Sequence, residues 1–226
     1  RISFSGVSVD TFLITSQNAT IVEVVLEEVL VIGVRYEILV SGIADCSGNI
    51  MAPATISFGK GRKPNFNEVL ISEMMADPDP AIDLPSAEFF ELQNMTADLI
   101  SLDEVQLIVG DDSVFLSSIV LAPLEIVILC PTSAVASYSE FGTTYGLTGW
   151  ISISNSADYV GLLNSDQLVF DMNYTADWYE KDSDGGISLE MKDTSNPCAE
   201  ALNWSASVNT NGGTPGRSNS TSTSIP

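Results

Sequence analysis

Short apolar segments bounded by Gly, Pro, Asn, Asp or Ser recur along the whole chain, and this rhythm constrains the fold more than any other feature. In RYEILVSG (35–42), Tyr36, Ile38 and Val40 fall on one side of an extended chain and Glu37, Leu39 and Ser41 on the other. That is the period-two alternation of a half-buried strand. EVLISEMM (68–75), AEFFELQN (87–94), VQLIVG (105–110), LEIVILC (124–130), DYVGLL (158–163), QLVFDM (167–172) and ISLEM (187–191) repeat the pattern. IVEVVLEEVL (21–30) has spacing that also suits a helix, but its β-branched content favours a strand. Many short strands with frequent turn signals predict an all-β sandwich.

The segment GKGRKPN (59–65) interrupts this rhythm with two glycines, a proline and three of the chain's eight basic residues. Such composition marks a boundary. The layout read from the sequence is a smaller, partial β module over 1–58, a linker over 59–65, a larger domain over 66–217 and a flexible tail over 218–226. The Ser/Thr/Asn-rich composition of SNSTSTSIP (218–226) is the reason for the last of these. The opening at Arg1, within strand-like sequence, reads as a piece of a longer polypeptide.

Composition excludes several functions. Lys+Arg 8 against Asp+Glu 30 gives a formal net charge of -22. This acidic field disfavours nucleic acid and anionic membranes, where binding depends on basic side chains. Histidine is absent, which removes the usual general base, the usual zinc ligand and the Ser-His-Asp arrangement. Cys46, Cys130 and Cys198 form no CxxC pair; a Cys130–Cys198 disulfide is the pairing the domain layout favours, and three buried thiols are the plainer alternative. No apolar run is long enough for a membrane-spanning helix. GxSxG and GxxxxGK[ST] are both missing, so nucleophile elbows and phosphate loops find no support.

The acids ask for a closer reading. Asp77, Asp79 and Asp83 lie on a proline-bent loop after ISEMM, and Glu73 and Glu91 occupy the flanking strands. Calcium takes roughly six to eight oxygens from such loops. Glu73, Asp77, Asp79 and Glu91 are therefore the candidate cation ligands, and a solvated turn is the plainer alternative. Glu73 and Glu91 meet only if their strands are neighbours. Glu88 and Glu91 should point to opposite faces by strand alternation. In EKDSDGGISLEM (180–191), Glu180, Asp182, Asp184 and Gly185 match the first, third, fifth and sixth positions of a calcium loop. The closing acid, Glu190, falls one place short of its required position, and the flanks read as strand and turn. No catalytic set emerges. A carboxylate-dependent hydrolase would need two acids in a cleft with sugar-binding aromatics. Of the three tryptophans, Trp150 is expected to be exposed, and Trp178 and Trp204 to pack in the core. Five N-x-S/T sequons, at Asn18, Asn94, Asn173, Asn203 and Asn219, are compatible with export, and chance in a Ser/Thr/Asn-rich β-sequence is the plainer alternative.

Over most of residues 68–219 the chain resembles lamin tail domains of the kind carried by bacterial secreted and surface proteins. The resemblance rests on VLISEMMADPDP, then AEFFELQNMTADLISLDEVQL (87–107), LAPLEIVIL (121–129) and ISISNSADYVGLLNSDQLVFDMNY (151–174), in that order. Trp178, ISLE (187–190), NW (203–204) and GGTPGRSNS (212–220) complete it. Met191 departs from the basic residue common after SLE, and Ser165-Asp166 from the usual turn glycine. Residues 35–51, RYEILVSGIADCSGNIM, resemble the end of a bacterial immunoglobulin-like module, with a tight turn at Asp45, Gly48 and Asn49. Together these imply an immunoglobulin-like β-sandwich after a partial module. They also imply a non-catalytic, exported protein, monomeric or part of a larger multidomain chain. Its partners would be a protein or glycan at the cell surface, and calcium is the one cofactor in view.

Overall fold

The computed structural model describes residues 2–5, 9–14, 22–165, 167–179 and 185–223. Two compact units are present, residues 1–62 and 63–226, and the division falls within GKGRKPN. In the first unit β1 (Ile2–Ser5), β4 (Arg35–Val40) and β5 (Ala54–Gly59) form an antiparallel sheet, and β2 (Val9–Ile14) pairs with β3 (Val22–Leu26) as a separate hairpin. The ambiguous IVEVVLEEVL is therefore extended over 22–26. Tyr36 is buried, while Arg35, Glu37 and Leu39 are exposed, as alternation requires. The DCSGN turn closes with Gly48 N–H donating to the Asp45 carbonyl (3.0 Å) and Gly48 at φ 85°. The Asp45 carboxylate accepts the Ser47 and Asn49 amides at 2.8 and 2.9 Å, a local substitute for strand pairing.

The second unit is a sandwich. Its strands are β6 (Val69–Met75), β7 (Phe89–Asn94), β8 (Ile100–Ser101), β9 (Val105–Val109), β10 (Asp112–Phe115), β11 (Val120–Leu121) and β12 (Ile126–Pro131). After the single-turn helix α1 (Val135–Tyr138) come β13 (Thr144–Leu147), β14 (Ala157–Asn164), β15 (Gln167–Thr175), β16 (Leu189–Met191) and β17 (Trp204–Ala206). One sheet runs β13-β12-β7-β6-β16-β17 and the other β10-β9-β14-β15; β8 and β11 form a small pair. Every strand segment expected from alternation is present, with ends shifted by a few residues. The short strands β8, β10, β11 and β13 are too brief to carry a period of their own.

The core lies between the two sheets. Met74, Phe90, Leu92, Val127, Leu129 and Leu189 from the first sheet pack in one cluster with Leu107, Val109, Val160, Leu162, Phe170 and Met172 from the second. Trp178 and Trp204 join it with ring centroids 6.2 Å apart. Trp150 is half-buried and not free. Its ring lies 5.8 Å from that of Phe90, and its Nε1 donates to Glu88 Oε2 at 2.6 Å. All three cysteines are free; Cys130 is buried and Cys198 exposed, so the expected disulfide is not formed. Among the described residues no helix is long and apolar enough to cross a membrane.

Candidate functional site

The outer face of the six-stranded sheet holds the concentrated chemistry of the chain. Alternation sends Met75, Phe89, Ile128 and Cys130 to this side, where they cluster with Leu84, Ala134 and Tyr138. Further along the same strands the outward positions are acids. Glu73 on β6 stands opposite Glu91 on β7 and opposite Glu190 on β16. Directly opposed side chains have Cβ atoms about 5 Å apart, so three carboxyls form one row across three neighbouring strands. All three are buried. A bulge between Ile71 and Glu73 places the extra residue, Ser72, beside the row.

A loop with no strand pairing of its own covers these acids: the C-terminal segment GGTPGRSNST (212–221) lies over the row and supplies its donors. Glu73 Oε1 accepts the Ser188 hydroxyl at 2.5 Å and the Thr214 amide at 2.8 Å. Glu91 accepts the Ser72 hydroxyl at 2.6 Å on Oε1 and the Gly216 amide at 2.8 Å on Oε2. Glu190 accepts the Thr221 amide at 2.9 Å on Oε2, and the Ser220 hydroxyl lies within 3.0 Å of both its oxygens. Asn219 spans the strands beneath, its amide donating to the Ser72 and Met191 carbonyls at 2.8 and 2.9 Å. Residues 218–223, expected as a loose tail, are thus tied to the sheet. The Ser220 hydroxyl and the Thr221 amide answer the buried Glu190, while Asn219 and Thr223 donate to backbone carbonyls.

Two glycines allow this close approach. A Cβ at Gly213 would lie 2.7 Å from Glu73 Oε1 and from Ser188 Oγ. Gly216 has φ 77°, and a Cβ there would meet the Phe141 carbonyl at 2.6 Å.

The proton inventory follows from geometry and burial. The Thr214 hydroxyl sits 2.9 Å from Glu190 Oε1 and 3.3 Å from Glu73 Oε2. It has one hydrogen, so both contacts are satisfied when it donates to Glu190 and accepts a proton carried by Glu73. Burial, with a smaller contribution from the neighbouring Glu190 charge, pushes the Glu73 carboxyl up to about 7. Burial and the adjacent Glu73 raise Glu91 well above the ordinary carboxylate range.

The four sequence candidates do not converge. Glu73 and Glu91 meet on adjacent strands, but Asp77 and Asp79 lie beyond the end of β6. There the Asp79 carboxylate accepts the Ser86 hydroxyl at 2.6 Å and the Asp77 carbonyl accepts the Gly186 amide at 2.7 Å. Among the described residues no group of three or more His, Cys, Asp or Glu is placed to hold a metal ion. Glu180, Asp182 and Asp184 of the second calcium candidate lie outside the described residues. Glu190, read from the sequence only as a misplaced loop acid, is the member of the row that was missed. Glu88 does point away from Glu91, to Trp150 and the Ile153 amide (3.0 Å). A cleft of about 420 Å³ borders the segment and is lined by Gln93, Ile126, Thr194, Arg217 and Asn219, with Glu91 at its wall. No protein-family model, curated protein or solved structure matches the chain.

Proposed function

We propose that the chain is a non-catalytic structural or interaction module of an exported bacterial protein, its second unit a lamin-tail-type sandwich. It serves as a spacer, or as an appendage that binds a protein or glycan at the cell surface. The observation that carries this reading is the use made of the buried acids. Each oxygen of Glu73, Glu91 and Glu190 has a hydrogen-bond partner within the chain itself, and the row serves to hold residues 212–221. A hydrolytic pair needs room for substrate and water between its carboxyls, and this row is covered. The lamin-tail likeness gains support from the same place. Four separate motifs, ISE, EFFEL, SLE and GTPGRSN, meet there, although they are far apart in the chain. A panel of glycosidase, esterase and phosphatase substrates, run beside a glycan array, tests the reading. Turnover by the purified chain that disappears in Glu91→Gln would overturn it; the expected result is no turnover above buffer.

A further inference from the structure

The five sequons differ sharply in what their asparagines do. Asn18 lies outside the described residues. The other four can be compared atom by atom. Asn94 is buried and its amide donates to the Asp98 and Ala122 carbonyls at 2.9 and 2.8 Å, while its Oδ1 accepts the Thr96 amide at 2.9 Å. Asn203 is buried and its amide donates to the Asp193 and Asn196 carbonyls at 2.8 and 3.0 Å, while its Oδ1 accepts the Asp193 amide at 2.8 Å. Asn219 joins β6 to β16 in the same way, through the Ser72 and Met191 carbonyls. In all three, both amide hydrogens are spent on backbone carbonyls.

N-linked glycosylation replaces one of those hydrogens. The amide nitrogen bonds to the anomeric carbon of a lipid-diphosphate-linked oligosaccharide. The bond from that carbon to the diphosphate oxygen breaks, the lipid diphosphate departs, and the amide proton passes to a base. A modified Asn94, Asn203 or Asn219 would leave one carbonyl without its donor and force a sugar between packed elements. Asn173 has no such conflict. It stands in β15, where Asp171, Asn173 and Thr175 are exposed and Met172 and Tyr174 are buried. Its side chain makes no hydrogen bond among the described residues. β15 ends its sheet, so among the described residues β14 is its one sheet neighbour there. Thr175 supplies the sequon hydroxyl on the same exposed face as the acceptor amide.

We propose that Asn173 is an N-linked glycosylation site of this chain, the one sequon among those described that the folded sandwich can carry modified. This rests on the reading of the chain as exported. The test is secretion of the full chain from a cultured eukaryotic host with a supplied leader, followed by site-resolved glycopeptide mass spectrometry of the folded product. The expected result is a glycan on Asn173 and none on Asn94, Asn203 or Asn219. Asn173→Gln should lose that glycan, and peptide-N-glycosidase treatment of the unsubstituted chain should leave its melting temperature unchanged. An empty Asn173, or a glycan on any of the other three in folded protein, would overturn the site. Because the host supplies the leader, that outcome leaves the export reading untouched. Finding the chain in the cytoplasmic fraction of its source cells would instead overturn the export reading and leave the site standing.

Discussion

The two faces of the six-stranded sheet are built from alternate residues of the same strands, yet they are held by different physics. Inward, Met74, Phe90, Leu92 and Leu129 contribute apolar area alone, and their stabilisation is indifferent to pH. Outward, Glu73, Glu91 and Glu190 are buried in a row, where like charges would repel at close quarters. They are tolerated because the C-terminal segment brings neutral donors to them and because burial favours the protonated form of Glu73 and Glu91. The inner face explains why the unit folds. The outer face explains why its last residues stay attached, and it makes that attachment sensitive to protons.

Substitutions should separate the two. All three tryptophans lie in the second unit, so their fluorescence during urea unfolding reports on it. Phe90→Ala removes a fully buried inner side chain and should cost about 3–5 kcal/mol, equally at pH 5 and pH 8. Glu73→Ala leaves Ser188 and the Thr214 amide without their acceptor, and should cost about 2–3 kcal/mol at pH 5. At pH 8 the cost should shrink, because the substitution also removes a carboxyl that resists ionisation. Gly216→Ala combines a positive φ with a close carbonyl and should cost about 1–3 kcal/mol. Its signature is faster hydrogen exchange at Thr221 with little change at Leu129. Thr214→Val, which removes only the bridging hydroxyl, should cost about 1 kcal/mol, and Thr214→Ser should recover most of it.

The sandwich is legible because period-two alternation records which side of a strand is buried, as in β9, although bulges interrupt it at Ser72 and between Leu162 and Leu163. Glu73 and Glu91 are legible as strand acids that meet only if their strands are neighbours. What could not be read was their third neighbour. Glu190 reaches Glu73 only through the pairing of β16 with β6, a long-range register that no local pattern encodes. The attachment of the tail is illegible for a related reason. Serines, threonines and asparagines look the same whether they bond to water or to a buried carboxyl. One signal was present: there is no Lys or Arg from Asn65 to Tyr179. Any acid buried by those strands therefore had few cations to pair with, and needed hydroxyls, amides or protons instead.

The most direct test concerns the protons. Glu73 is raised in the folded state, so its contribution is complete below about pH 4.5, where folded and unfolded chains are both protonated. It is lost as pH rises through about 7. Each pKa unit is worth about 1.4 kcal/mol, so the loss is on the order of 3 kcal/mol across that window. Amide-exchange protection factors at Thr214, Gly216 and Thr221, measured from pH 5 to pH 8.5, read this at the covering segment itself. They should fall as pH rises from 5 to about 7 in the unsubstituted chain and level off above it. The fall should be smaller in Glu73→Gln, whose amide can donate to Thr214 at every pH, and what remains belongs to Glu91 beside Gly216. Protection that is independent of pH in the unsubstituted chain, or that falls equally in Glu73→Gln, would contradict the account.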